Sequence, residues 1–333
     1  MLPVMAWALA GCNNELDVNA PAKDIYVVFG VLDPDKPRQE IRIQQAFLTE
    51  SNAIEYGANN DLSLRNANVT LVCDCGTTYT LQMLDTTKAP GDFYRPHKLY
   101  VTRPEDRLQP GQRYTLRVAL PEKGEVLSAS TVVPTRPRIT QPDSLQPGTE
   151  GISEQFATAA FNARNFAIRY VPRAFFATGA IGVAFELRIF FDYASNGIAQ
   201  PQLRFGPGNP YLLRSNGQGE IILGQAFQSY LSQILAARHP ASDQLTFDDS
   251  NKTESCRIEI TALDQEIYNY MRVNSPAFVD FNTISPEYTN VQGGFGILGA
   301  STRVSRYVRL QDCTKYLARL NNTPEPGGEC PDR

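Results

Sequence analysis

The chain has 333 residues, 42% of them hydrophobic and 20% charged, enough apolar material for one large core and, by length, for two domains. Lys and Arg total 31 against 35 Asp and Glu, a formal net charge of −4, and no basic block occurs along the chain. That balance excludes a nucleic-acid partner, whose phosphates demand a concentrated positive face.

Met1 to Ala10 is an uncharged apolar run that passes through Gly11-Cys12 into Asn13-Asn14-Glu15-Leu16-Asp17. An apolar stretch ending in small residues is the back half of a secretory signal. Leu9-Ala10-Gly11-Cys12 further resembles the bacterial lipobox, so residues 1–11 are expected to be removed and Cys12 to become the lipid-bearing first residue of the mature chain. No Lys or Arg precedes the apolar run, which points to a start codon assigned too far downstream. Residues 12–23 then form a polar tether. A diacylglycerol anchor contributes about 0.8 kcal/mol per buried CH₂, so two or three acyl chains hold durably. Beyond the N-terminus no run approaches the roughly 18 residues that cross a bilayer. The closest, Ile181 to Phe191, contains Glu186 and Arg188, so a soluble body is expected.

The alternation in Asp24 to Leu32 and Gln39 to Phe47, around the turn Asp33-Pro34-Asp35-Lys36-Pro37, predicts a β-hairpin. Short strands follow at Ala67 to Cys73, Thr77 to Met83 and His97 to Thr102. Leu108-Gln109-Pro110-Gly111 introduces a strand with Tyr114, Leu116 and Val118 on one face. The Tyr114 hydroxyl is placed to bond back across this turn, as in the tyrosine corner of immunoglobulin-like and fibronectin type III sandwiches. After the strand Val126 to Val133, Pro134, Pro137, Pro142 and Pro147 mark residues 135–150 as a linker. The expectation is therefore a mainly β chain: an immunoglobulin-like or fibronectin-III-like β-sandwich at 24–134, then a second β-rich domain at 151–312 with two or three short helices, and a C-terminal helix and tail at 313–333.

Within the second part, Asn165 to Val171 and Gly182 to Tyr193 read as strands, and Ala199 to Gly219 as a long loop. Phe227, Tyr230, Leu231, Ile234 and Leu235 form a helical stripe that stops near His239-Pro240. Cys256 to Ala262 is another strand. Asp264 is placed to cap a helix over Gln265 to Val273 with Ile267, Tyr270 and Met271 inward. A strand runs from Phe295 towards Leu310.

Residues for catalysis are sparse. The two histidines, His97 and His239, fall in different expected domains, and no G-x-S-x-G elbow, H-E-x-x-H motif or Cys/His cluster accompanies them. Neither a metal nor a cofactor is expected. Gly294-Phe295-Gly296-Ile297-Leu298-Gly299 fits G-x-G-x-x-G, but a dinucleotide site needs this turn to open a helix. Here a β-prone segment follows, so glycines in a strand or bulge are the better reading. Asp33/Asp35 and Asp248-Asp249 read as solvated loop charges. Cys313 and Cys330 bracket a short Pro/Gly-rich tail and are expected to form a disulfide. For Cys73 and Cys75 two pairings stay open: one of them with Cys256, or the two with each other across a tight turn.

The lipobox Leu9 to Cys12, the strand-turn-strand Tyr26 to Phe47, the Thr131-Val132-Val133-Pro134 exit, the strand-helix Leu263 to Tyr270 and Asn290 to Gly299 occur in an order that resembles domain-of-unknown-function family 4249, a group of Bacteroidota outer-membrane lipoproteins. The resemblance spans nearly all of the mature chain. It implies anchoring through Cys12 and a non-catalytic accessory role beside a TonB-dependent outer-membrane transporter. Two alternatives from the residues are glycan or peptide capture, with Phe205 and Tyr211 stacking on the ligand, and a hydrolase with a site built from distant carboxylates.

Overall fold

The computed structural model describes residues 25–46, 55–56, 60–87, 96–141, 167–171, 184–205, 219–222, 235, 237–240, 243–247, 256–274 and 287–308. Among them the chain is mainly β. In order, the strands are β1 (Tyr26–Leu32), β2 (Glu40–Gln45), β3 (Asn68–Cys73), β4 (Thr78–Thr80), β5 (Gln82–Thr87), β6 (Pro96–Val101), β7 (Arg113–Leu120), β8 (Gly124–Val132), β9 (Arg138–Gln141) and β10 (Ala167–Val171). They continue with β11 (Ala184–Phe191), β12 (Tyr193–Ser195), β13 (Ile198–Ala199), β14 (Leu203–Phe205), β15 (Gly219–Ile222), β16 (Leu245–Phe247) and β17 (Cys256–Leu263), then helix α1 (Gln265–Val273), β18 (Val291–Gln292) and β19 (Phe295–Val308).

The largest sheet has eight strands in the order β14-β11-β17-β19-β1-β2-β6-β5, and a five-stranded sheet runs β18-β8-β7-β3-β4. Alternation explains how they meet. Val28, Leu32, Ile41 and Ile43 from the first sheet and Val69, Leu71, Tyr114, Leu116 and Leu127 from the second share one buried apolar cluster. Two inner faces that each present every second side chain bury them against one another. The expected strand at Thr77 to Met83 is split: β4 pairs with β3, while β5 pairs with β6 in the other sheet. Buried Leu81 lies at the crossing.

The eight-stranded sheet takes strands from both sides of the segment expected as a linker. β19 is the reason. Its first six residues run parallel to β1, from Val27↔Phe295 to Leu32↔Ala300. Its last eight run antiparallel to β17, from Leu263↔Ser301 to Cys256↔Val308. The expected boundary at 135–150 rested on proline density, which is blind to a pairing between residues so far apart in the chain. On the β17 side, Phe185, Leu187 and Ile189 of β11 stand opposite Ala262, Ile260 and Ile258, all buried. This bears out the alternation read at Gly182 to Tyr193.

The expected hairpin β1–β2 is present, with Val28↔Ile43 and Gly30↔Ile41 in register. Its turn corrects one reading: Asp33 is 2% exposed and not a solvated loop charge. The Asp33 carboxylate receives the Arg303 guanidinium and the Asp35 N–H, and Asp35 in turn pairs with Arg136. Ion pairing and hydrogen bonds offset the burial of the charge. Asp248 and Asp249 lie outside the described residues, as do residues 313–333 and most of the 227–235 stripe, of which Leu235 is helical and buried.

Helix α1 begins where the sequence places it. The Asp264 side chain accepts from the Ile267 N–H at 2.9 Å, an N-cap that satisfies one of the helix's free donors. The inward residues differ by one position. Tyr268 is the buried member, with Ile267 and Met271 packed beside it against Ala184 and Leu263, whereas Tyr270 is half-buried. Tyr270 was drawn from helical spacing alone; the face of α1 that packs on Ala184 and Leu263 carries Tyr268 instead.

Candidate functional site

Of the residues singled out from the sequence, Cys12, Tyr211, Cys313 and Cys330 lie outside the described residues. Phe205 ends β14 opposite Ile189. Cys73 is joined to Cys75 in a disulfide, while Cys256 opens β17 in register with Val308. Of the two pairings left open, the local one is found. His97 lies in β6 opposite Thr86.

The feature most suited to a partner is the outer face of β1. Period-two alternation sends Val28 and Leu32 into the core and the odd-numbered positions outward. Those outward residues are apolar: Ile25, Phe29 and Val31 are 40%, 41% and 42% exposed. Phe295, opposite Val27 on the neighbouring strand, is 45% exposed. Three of the eight exposed large hydrophobic residues among those described thus sit on one strand pair at the middle of a sheet, and a fourth, Ile25, directly precedes it, where scattered single residues would need no explanation. Arg42 stands across from Phe29, and its buried Nε has no hydrogen-bond partner.

The NVQGGFGILG segment builds the adjoining edge. Gly293 and Gly296 have φ of 81° and 103°, values that favour glycine. A Cβ at Gly296 would collide with the Val28 carbonyl, and one at Gly299 with Ile267 of α1. These glycines let β1, β19 and α1 approach, in a strand and not at a dinucleotide-binding turn. Asn290 completes the edge: its Oδ1 accepts from the Leu298 N–H at 3.0 Å, and its Nδ2 donates to the carbonyls of Leu298 at 2.7 Å and Ser130 at 3.1 Å. One side-chain amide thereby replaces a strand partner and ties β19 to β8.

Beside it Asp264, 4% exposed, accepts from the Thr131 hydroxyl, and its carboxyl is pushed up to about 7, chiefly by burial. Thr131 belongs to the Thr-x-x-Pro exit, and its role is to hold the α1 cap across the sandwich. The Tyr288 hydroxyl donates to Glu266 of the same helix, and burial together with that carboxylate pushes Tyr288 up to about 12. Opposite Thr131 in the β7–β8 register, Tyr114 is fully buried and its hydroxyl accepts from the Gln109 N–H at 2.7 Å. That is the bond the sequence suggested across the Pro-Gly turn.

A polar chain invisible in the sequence joins β12 to the turn after Leu235. The Tyr193 hydroxyl lies 3.0 Å from His239 Nε2, and His239 Nδ1 lies 3.2 Å from Asp243 Oδ2. Ser195 donates to the same carboxylate at 3.0 Å and, with Asn196 and His239, holds its pKa below the ordinary value. Both imidazole nitrogens and the carboxylate are thus committed to neighbours, an arrangement that pins the turn to the strand. A separate open cavity of about 520 Å³ is lined by Gln45, Asp61, Ser63 and Arg65. Burial pushes the Asp61 carboxyl up, but hydrogen bonds from Ser63 and Arg65 outweigh it and hold the group below its usual value.

The family model for a domain of unknown function, DUF4249, matches residues 13–307. No curated protein matches the chain.

Proposed function

This chain belongs to the DUF4249 family, and from that premise we propose that it is a Bacteroidota outer-membrane lipoprotein, anchored through Cys12, that acts without catalysis as a binding or accessory module for a TonB-dependent transporter. The body is read as an immunoglobulin-like sandwich with further strands joined to its sheet; the Tyr114–Gln109 bond supports that reading. The observation that carries the accessory role is the apolar outer face of β1 and Phe295. It gives a folded partner an apolar surface to cover, as expected for the centre of a protein interface. Its position suits the anchor, since Ile25 follows Cys12 by 13 residues, a tether that reaches about 45 Å when fully extended.

Two measurements test the proposal. Cys12→Ser is expected to release the chain from membranes; retention of an unprocessed chain would contradict the anchor. The wild-type protein, solubilised in detergent, is expected to co-purify with a TonB-dependent barrel identified by mass spectrometry. Phe29→Asp is expected to weaken that association by about tenfold or more, in line with loss of an interface anchor. Equal recovery with the variant would remove β1 as the contact surface, and isolation of the wild-type chain alone would remove the partner.

A further inference from the structure

The Cys73–Cys75 disulfide has a position that a stabilising cross-link does not need. It closes a loop of three residues, and the denatured-state entropy that a disulfide removes falls as the loop shortens. The turn between β3 and β4 is already fixed by backbone bonds: Cys73 N–H to the Thr77 carbonyl at 2.8 Å, Gly76 N–H to the Cys73 carbonyl at 3.0 Å, and Asp74 N–H to the Arg113 carbonyl at 3.1 Å. Gly76 takes the left-handed conformation at φ 90°. β3 is in register with β7 along its whole length, ending at Cys73↔Tyr114. None of these contacts is made through the S–S bond.

The two sulfurs also differ in a way that suits exchange. Cys75 sits exposed at the tip of the turn, whereas Cys73 is 2% exposed in the core. The Cys75 backbone N–H points at Cys73 Sγ, 3.1 Å away. Burial in the core works against a Cys73 thiolate, and this hydrogen bond offsets that cost by favouring the charged sulfur as the leaving group.

We propose that Cys73–Cys75 is a reversible thiol–disulfide exchange site, entered at Cys75 by a dithiol and released through Cys73. A partner thiolate attacks Cys75 Sγ; the new S–S bond forms as the Cys75–Cys73 bond breaks, and the electron pair leaves on Cys73 Sγ, which receives the Cys75 N–H. The partner's second thiolate then attacks its own sulfur in the mixed disulfide, expelling Cys75 as thiolate. The dithiol loses two electrons and becomes a disulfide; Cys73 and Cys75 gain them and take up two protons. The reverse sequence, with a disulfide as oxidant, restores the bond.

The test uses the whole folded chain, with dithiothreitol as the dithiol and peptide mapping to separate the other cysteines. Native-state reduction followed by alkylation should label both Cys73 and Cys75, leave the β-sheet circular dichroism and urea midpoint unchanged, and be reversed by glutathione disulfide. In Cys73→Ser, glutathione disulfide should form an adduct on Cys75 about tenfold faster than on Cys73 in Cys75→Ser, because access governs exchange. Three results would each overturn the assignment: both cysteines unlabelled after native-state reduction, loss of the sheet signal on reduction, or equal adduct rates in the two variants.

Discussion

At the scale of single residues, Asp264 joins a helix cap to a buried charge. Burial raises its folded pKa from 3.8 to about 7, so the fold holds this proton more tightly than the unfolded chain does. The resulting stability is complete below about pH 4 and is lost as pH rises through about 7; the cost of ionising the group is on the order of 4 kcal/mol. Asp264→Asn keeps an N-capping side chain and removes the titration. Urea midpoints should fall between pH 5 and pH 8 in the wild type and change much less in the variant; parallel curves would show that other groups govern this range. Tyr114→Phe removes the hydroxyl that accepts from Gln109 while keeping the ring in the core. It should cost about 1 kcal/mol, because the Gln109 N–H loses its partner and the apolar contacts remain.

At the scale of elements, the edge built by β19, α1 and Asn290 is the most demanding piece of packing. Gly299→Ala puts a methyl group into Ile267 and should cost about 1–3 kcal/mol in urea unfolding, the usual penalty of overpacking. Asn290→Ala leaves the Leu298 N–H and C=O without the amide that completes them and should cost about 1–3 kcal/mol. Such local features were largely legible. The alternation of β1 and β2, the Asp264 cap and the strand character of Phe295 onward follow from short-range periodicity and turn chemistry. The Tyr193–His239–Asp243 chain was not, because its members are 46 and 4 residues apart with no motif between them. Nor was the burial of Asp33, whose partner Arg303 lies 270 positions away. The apolar outer face of β1 was legible only in part: Ile25, Phe29 and Val31 are plain in the sequence, but a parallel-sheet strand covered on both faces has the same composition.

At the scale of the whole molecule, the sheet that unites residues on both sides of 135–150 sets how the protein comes apart. A fragment of residues 24–134 retains β1 but loses β19 from one side of it, along with β18 from the second sheet. Expressed alone, it should show no cooperative urea transition at the wild-type midpoint; a transition there would make residues 24–134 an autonomous domain. The same strand governs assembly in time. Synthesis runs from the N-terminus, and β1 is made long before its parallel neighbour. Until Phe295–Ala300 emerges, one side of β1 exposes unpaired backbone groups next to Phe29 and Val31, a template for wrong pairing. Long-range parallel closure is slow for entropic reasons, so the growing chain must be shielded until its last described strand arrives. β19 is the closing stitch, and a chain cut short before it would be left an aggregation hazard rather than a smaller folded protein.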